Sequence, residues 1–216
     1  TLRSCLKLWF GVPPNRSGVF SAGNGPAMRS AIFGVWFDDI DTMVEYVRVS
    51  ARFTHSDPKA EYGAIAIALA TYVGCRDINV DGQKFLDRLE SLIGPDGSEL
   101  IELLRPVVTS VSTGESTLDY ALSNGFEHGV SGYTYHTVPV VIHAWLTNPR
   151  DYRAAVSSTI QCGGDADTTA AIVGGIVGGA TGETGIPNEW LSNILEWPRS
   201  VNWMRKLSTQ LVDSRP

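Results

Sequence analysis

The sequence predicts an all-α fold, with one compact domain of about ten helices. Three observations support this prediction. Apolar residues recur at spacings of three and four along most of the chain, and strict alternation of apolar and polar residues is scarce. Cap-and-proline pairs that start helices, such as Asp57-Pro58 and Asn148-Pro149, separate the apolar segments. The 216 residues are enough to bury one good hydrophobic core.

The first half of the chain contains six predicted helices joined by short turns. The first covers residues 2–10 and ends at Gly11-Val12-Pro13-Pro14. The second has Pro26 in its first turn and continues through Val35. The others are a helix starting at Asp41, a long apolar helix over 60–73 closed by Gly74, and two helices with apolar faces within 85–93 and 100–104.

The second half continues the same pattern. A short helix over 117–124 precedes a loop over 125–132. Val138-Pro139 is predicted to open an apolar helix that reaches Leu146, and the next helix leads from Asn148-Pro149 toward residue 160. A glycine-rich helix then follows an acidic turn, and the last two helices cover about 186–197 and 203–212.

Composition argues against several classes of function. A net charge of −6 argues against a general nucleic-acid binder, which would carry a basic stripe. The three cysteines are far apart and form no Cys-x-x-Cys pair, so we expect a reduced, cytoplasmic setting without a zinc knuckle or disulfides. The longest apolar run, residues 170–180, is too short to span a bilayer, and no signal peptide opens the sequence. We therefore expect neither nucleic acid nor membrane as a partner.

The acidic turn carries the strongest chemical signal. Gly163-Gly164-Asp165-Ala166-Asp167-Thr168-Thr169 runs directly into a helix whose glycines repeat at a spacing of four. Two carboxylates and a hydroxyl are hard oxygen ligands that suit magnesium, manganese or calcium. One aspartate would suffice as a helix N-cap, whereas a second adds repulsion unless a cation lies between them. On the residues alone, a metal site and simple capping both remain open.

Other motifs are weaker. Asp165 to Thr169 matches the D-x-D-x-T of haloacid-dehalogenase phosphatases, but the preceding residues do not form the buried strand that this motif needs. Gly23-Asn24-Gly25 is either a turn with a cap or a phosphate-binding helix start. His55, at a helix junction, is either a surface or capping residue or a ligand contact. His136 and His143 flank Pro139, and no zinc motif is present.

Taken together, these stretches resemble the ADP-ribosylglycohydrolase family over nearly the whole chain and in the right order. Residues 23–29 match the family's Gly-Asn-Gly loop with Ala-Met-Arg, and Thr54-His55 match its Thr-His step. Ser131-Gly132-Tyr133 with Thr137-Val138-Pro139 match its Ser-Gly-Tyr…Thr-x-Pro stretch. Residues 163–168 match its Gly-Gly-Asp-x-Asp-Thr signature, and Ile186-Pro187 with Trp190 match an Ile-Pro-x-x-Trp.

The resemblance implies an all-α enzyme that cleaves an ADP-ribosyl N- or O-glycosidic bond. It implies a centre of two divalent cations, Mg²⁺ or Mn²⁺, in a cleft that holds ADP-ribose. Asp165, Asp167 and Thr168 would be metal ligands, and the two aspartates would be the catalytic residues. The substrate, an ADP-ribosylated protein or an ADP-ribose-containing small molecule, would contact Gly23, Asn24, Gly25, His55 and Tyr133.

The family's upstream Thr-Asp-Asp-Thr motif is absent from this sequence. Residues 38–42 are acidic, but they follow the Gly-Asn-Gly loop, where the family does not place that motif. We therefore expect residues 1–216 to be the larger part of a longer fold that carries half of the metal site. A non-catalytic ADP-ribose-binding or crystallin-like structural relative is the alternative. The sequence does not indicate the amino acid or molecule to which ADP-ribose is attached, or the oligomeric state.

Overall fold

A computed structural model describes residues 2–214, in which the regular structure is helical apart from three isolated β-bridges. The all-α prediction is confirmed. In chain order the fourteen α-helices of this range are α1 Leu2–Trp9, α2 Pro14–Ser17, α3 Gly25–Met28, α4 Ala31–Trp36, α5 Ile40–Arg52, α6 Pro58–Arg76, α7 Gly82–Ile93, α8 Ser98–Thr113, α9 Thr117–Ser123, α10 Thr134–Thr147, α11 Tyr152–Gln161, α12 Ala166–Thr181, α13 Asn188–Ser192 and α14 Val201–Asp213.

Three helices, α6, α10 and α12, form the centre of the molecule. α6 packs against α3, α4, α5, α10 and α12, and its buried residues lie all around its axis rather than along one stripe. A helix that is apolar on every side belongs in a protein interior. α10 is buried from Thr134 to Trp145 except at the half-buried His136, and the ring of Trp145 meets Phe85 of α7 edge-on at 5.3 Å. The core therefore extends from α12 through α6 and α10 to α7.

Side-chain caps set the starts of several helices. The carboxylate of Asp39 accepts a hydrogen bond from the Thr42 backbone N–H at 2.8 Å, and Asp57 accepts from Lys59 at 2.9 Å. Such caps satisfy backbone N–H groups that have no partner within the helix. The predicted starts near residues 41 and 58 are thereby explained.

Some predicted boundaries are wrong. The helix expected over 26–35 is divided into α3 and α4. Gly74 does not close α6, which continues to Arg76; Gly74 lies inside this helix, next to the ring of Trp145. Pro139 does not open α10, which begins at Thr134 and contains the proline in its second turn.

The predicted number of helices, about ten, is too small, because short helices carry little periodicity. α2 and α3 have four residues each, and α13 ends at Ser192 rather than near residue 197. Two short 3₁₀ turns, Pro95–Gly97 and Glu183–Gly185, add to the connections. Within residues 2–214 no helix combines the length and apolar character needed to cross a membrane.

Candidate active site

Three loops that are far apart in the sequence meet at the start of α12. The loops are residues 22–25, 130–134 and 163–165, and two of the isolated β-bridges join them, Gly23 with Tyr133 and Val130 with Gly164. The backbone hydrogen bonds between the loops are Asn24 N–H to Gly132 O (3.0 Å), Thr134 N–H to Ala22 O (2.8 Å), Val130 N–H to Gly163 O (3.2 Å) and Asp165 N–H to Val130 O (2.7 Å).

Glycine is required where these loops cross. Gly164 has φ +72°, and a Cβ on it would lie 2.2 Å from the Val130 carbonyl oxygen. Gly129, with φ +94°, would bring a Cβ to 2.2 Å from the backbone nitrogen of Gly164. Glycine is the only amino acid that readily adopts a positive φ and also allows two backbones to approach this closely. The glycine before Asp165 therefore sets the direction in which the acidic turn enters α12.

Asp165 stands at the N-cap position of α12, yet its carboxylate makes no capping hydrogen bond. Its Oδ2 accepts from the Asn24 side-chain amide at 2.7 Å, and its Oδ1 accepts from the Thr168 hydroxyl at 2.8 Å. The interpretation of this aspartate as only a cap is therefore wrong. Its carboxylate is oriented by two side chains, one of them 141 residues away in sequence.

Asn24 is buried and its side chain faces other protein groups. Besides Asp165, its Nδ2 donates to the Thr137 hydroxyl at 3.0 Å, and that hydroxyl donates to the carbonyl of Ser131 at 3.1 Å. A buried amide held in this way has a fixed orientation. Asn24 thus holds Asp165 in place, and direct contact of Asn24 with a substrate stays a prediction.

Asp167 and Thr168 complete the acidic turn. Asp167 is exposed in the first turn of α12, whereas Thr168 is buried. Because the Thr168 hydroxyl gives its proton to Asp165, its remaining lone pairs are free to bind a cation. Two carboxylates and a hydroxyl fit Mg²⁺ or Mn²⁺ in kind.

The two carboxylates and the hydroxyl of the acidic turn are too few to complete a metal site, because an octahedral site takes about six oxygens. Residues 2–214 contain no group of three or more His, Cys, Asp or Glu side chains that could hold a metal ion. The assignment of Asp165, Asp167 and Thr168 as half of a metal site therefore stays a prediction.

His55 lies beside the glycine loop. Its side chain is only 5% exposed, and its Nδ1 lies 2.8 Å from the Thr54 hydroxyl. Its Nε2 lies 3.2 Å from the point where a Cβ on Gly23 would stand. Burial lowers the pKa of His55 to about 4, so the imidazole is neutral at physiological pH. The structure brings this histidine to the predicted substrate loop, and its role there stays a prediction.

Tyr133 enters the same region from the loop before α10. Its hydroxyl lies 3.2 Å from Nζ of Lys59, which also pairs with Glu99 at 2.7 Å, and its ring meets His136 edge-on at 5.0 Å. The hydroxyl is thus engaged by the protein, while the half-buried ring is available for contact.

Sequence reasoning assigned no role to Arg29, Thr54 or Thr137, although all three side chains make hydrogen bonds around this site. Each lies within a stretch that carries the family resemblance. Their function as supports could not be read from the sequence, because their partners come from distant parts of the chain.

Comparisons with known proteins show which family this chain resembles. The model of the ADP-ribosylglycohydrolase family matches residues 1–216. A protein from Archaeoglobus fulgidus described as uncharacterized is 29% identical over 212 residues, which cover 98% of this chain and 65% of the relative. Mouse ADP-ribosylhydrolase ARH3 is 27% identical, with 81% of this chain and 53% of the relative covered.

More distant relatives extend the comparison. ADP-ribosyl-[dinitrogen reductase] glycohydrolase from Rhodospirillum rubrum is 24% identical, with 80% of this chain and 51% of the relative covered. A solved structure described as an ADP-ribosylglycohydrolase-related protein complex shares the fold, with a TM-score of 0.60 and 23% identity over 90% of this chain and 62% of its own. This chain spans about half to two-thirds of the length of these relatives. From the match over its full length, we conclude that the chain belongs to the ADP-ribosylglycohydrolase family.

Proposed function

We propose that the full-length gene product containing this chain hydrolyses an ADP-ribosyl N- or O-glycosidic bond and depends on Mg²⁺ or Mn²⁺. It releases ADP-ribose from a modified protein or small molecule. The relatives named ADP-ribosylhydrolase and ADP-ribosyl-[dinitrogen reductase] glycohydrolase support the reaction class. The observation that carries the proposal is the Asp165 carboxylate, which is oriented by Asn24 and Thr168 instead of capping its helix.

Each part of the site has a separate task. Asp165, Asp167 and Thr168 would hold the divalent cations, which when bound stabilise negative charge and orient oxygen ligands. Asn24 keeps the Asp165 carboxylate in one orientation. The Gly23–Gly25 loop and His55 hold the diphosphate and ribose. Positive charge develops at the anomeric carbon as the glycosidic bond breaks, and precise placement of the sugar beside carboxylates lowers that barrier.

A non-catalytic ADP-ribose-binding or structural protein is the second candidate. The small donor set of the acidic turn favours it, because two carboxylates and a hydroxyl alone hold a cation weakly. The two candidates differ in what the full-length protein does with a modified substrate: a binding protein retains ADP-ribose affinity without releasing product.

The test compares wild type with Asp167→Asn in the full-length protein, using an ADP-ribosylated protein as substrate and added Mn²⁺. We expect the substitution to reduce release of ADP-ribose at least about 100-fold, because it removes a metal ligand. The free energy of unfolding should change by no more than about 1 kcal/mol, since Asp167 is exposed at a helix N-terminus.

Asp96→Asn, which removes an exposed carboxylate in a 3₁₀ turn, is the matched control and should turn over normally. Equal turnover by Asp167→Asn and wild type would remove the assignment of this site. Binding of ADP-ribose by the wild type without any release would favour the second candidate.

A further inference from the structure

We propose that Arg29 and Thr54 are positioning residues that hold His55 with its ring proton on Nε2, directed at a ligand oxygen beside Gly23. The inference rests on the proposed function for the identity of that ligand, ADP-ribose. It adds a support for the ligand-facing histidine that lies outside the acidic turn.

Arg29 ties the glycine loop to the end of α5. Its Nη1 donates to the Gly25 carbonyl at 3.0 Å, and its Nε donates to the Ser50 hydroxyl at 3.0 Å. Its Nη2 donates at 2.6 Å both to the Ser50 carbonyl and to the Thr54 hydroxyl oxygen. A guanidinium carries only donors in a rigid planar fork, so this set of acceptors fixes its position. Arg29 therefore fixes Thr54 relative to the loop.

The Thr54 hydroxyl then determines the tautomer of His55. It has one proton to give, and it already accepts from Arg29. The His55 Nδ1 lies 2.8 Å from the hydroxyl, whereas the Ala51 carbonyl lies 3.4 Å away, too long for a strong bond. The contact with Nδ1 could form with the proton on either atom, but only donation by Thr54 to Nδ1 gives the hydroxyl proton a close acceptor. A neutral imidazole whose Nδ1 accepts carries its proton on Nε2.

The Nε2–H has no protein acceptor among residues 2–214, and Nε2 is not one of the buried side-chain atoms there that lack a partner, although His55 as a residue is only 5% exposed. The Nε2–H is therefore open at the edge of a largely buried residue, where an oxygen of a ligand can accept its hydrogen bond. That acceptor must come from the side of Gly23, where the absence of a side chain leaves the space in front of Nε2 open. Phosphate and hydroxyl oxygens of ADP-ribose are acceptors of this kind.

The arrangement explains why a neutral donor is found next to a cation. Burial is the main cause that lowers the pKa of the imidazole to about 4, and the charge of Arg29, which faces His55 from the loop side, is a smaller one. The guanidinium of Arg29 donates hydrogen bonds to four protein oxygens. The ring therefore presents one N–H of fixed direction to the ligand.

The test uses the full-length protein with Thr54→Val, which keeps the shape of the side chain and removes the hydroxyl. Thr54→Ser, which keeps the hydroxyl, is the matched control. Ring ¹⁵N spectra report which nitrogen of His55 carries the proton, and calorimetry gives the Kd for ADP-ribose. We expect the Nε2–H form in wild type and Thr54→Ser, and a smaller share of it in Thr54→Val. Affinity for ADP-ribose should fall about tenfold in Thr54→Val and stay near wild type in Thr54→Ser.

An Nδ1–H form in the wild-type protein overturns the proposal, and this measurement needs no variant to fold. A wild-type Kd for folded Thr54→Val overturns it as well. A wild-type protein with the Nε2–H form and no affinity for ADP-ribose upholds the positioning of His55, and in that case the proposed function fails instead.

Discussion

Within residues 2–214, two polar clusters contain a buried histidine, and their differences separate a candidate ligand site from a structural one. The site cluster consists of Asn24, His55, Asp165 and Thr168. The interior cluster consists of Ser110, Glu115, Thr117 and His143, and it joins α8, α9 and α10. Burial lowers the pKa of both histidines to about 4. The pKa shift alone therefore does not distinguish the two roles.

The interior cluster satisfies its histidine completely. His143 has no exposed surface; its Nε2 lies 2.9 Å from the Ser110 hydroxyl, and its Nδ1 lies 3.1 Å from the Thr117 hydroxyl. Ser110 also donates to Glu115, and the ring stacks on Tyr120 with centroids 4.7 Å apart. The serine stands between the acid and the histidine, an order that does not activate a serine as a nucleophile. This cluster stabilises the packing of three helices.

The site cluster leaves groups open. In residues 2–214 the Nε2 of His55 has no acceptor, and Asp167, next to the cluster, is exposed. The difference lies in the neighbours: hydroxyls enclose His143, whereas His55 faces a bare glycine. A polar atom that the protein orients and leaves open to a ligand therefore distinguishes the two clusters, whereas burial does not.

The largest effect expected within this comparison is on stability. His143→Ala should lower the free energy of unfolding by about 3 kcal/mol, because it leaves a cavity and removes the partner of two buried hydroxyls. Chemical denaturation measures this change. His136 is half-buried on the same helix, and His136→Ala should lower the free energy of unfolding by less than about 1 kcal/mol. A loss of similar size in both variants would mean that the interior cluster is not a structural support.

An effect that is smaller over any single pH unit is expected from acid. Because the folded pKa of both histidines is about 4 and the ordinary value is 6.5, the unfolded chain binds more protons than the folded chain between these values. Stability should therefore decrease as the pH falls from 6.5 to 4, by at most about 1.4 kcal/mol per pH unit for each histidine. Denaturation at a series of pH values measures the slope.

The variant His143→Gln sharpens that result, because it should remove the contribution of the interior cluster and leave that of His55. Its pH dependence between 6.5 and 4 should be shallower than that of wild type. An unchanged slope would contradict the assignment of a neutral His143 in the folded protein.

Much of the fold could be predicted from local signals. The cap at Asp57 and the apolar face within α7 gave helices where the structure has them. The cap predicted at Asn148-Pro149 is wrong, because α11 begins at Tyr152 and its N-cap is Asp151. Local rules did not predict that α10 would contain Pro139 or that α6 would continue past Gly74. Both outcomes depend on burial: these helices are enclosed by neighbours, whose packing outweighs the local cost of proline or glycine.

The residues of the candidate site could be predicted from the sequence, but the hydrogen bonds that join them could not. The acidic turn and the Gly-Asn-Gly loop are visible as motifs, but the bond between Asn24 and Asp165 spans 141 residues. The link from Arg29 through Thr54 to His55 depends on a side chain that crosses from the end of α3 to the end of α5. Such connections follow from the tertiary fold, which spacing in a single sequence does not encode.

The most direct test of the central claim is a crystal of the full-length protein soaked in Mn²⁺ and measured for anomalous scattering. We expect a manganese peak within coordination distance of the Asp165, Asp167 and Thr168 oxygens, with Asn24 still bonded to Asp165. Carboxylates that bond only to protein groups, with no manganese between them at saturating concentration, would contradict the account.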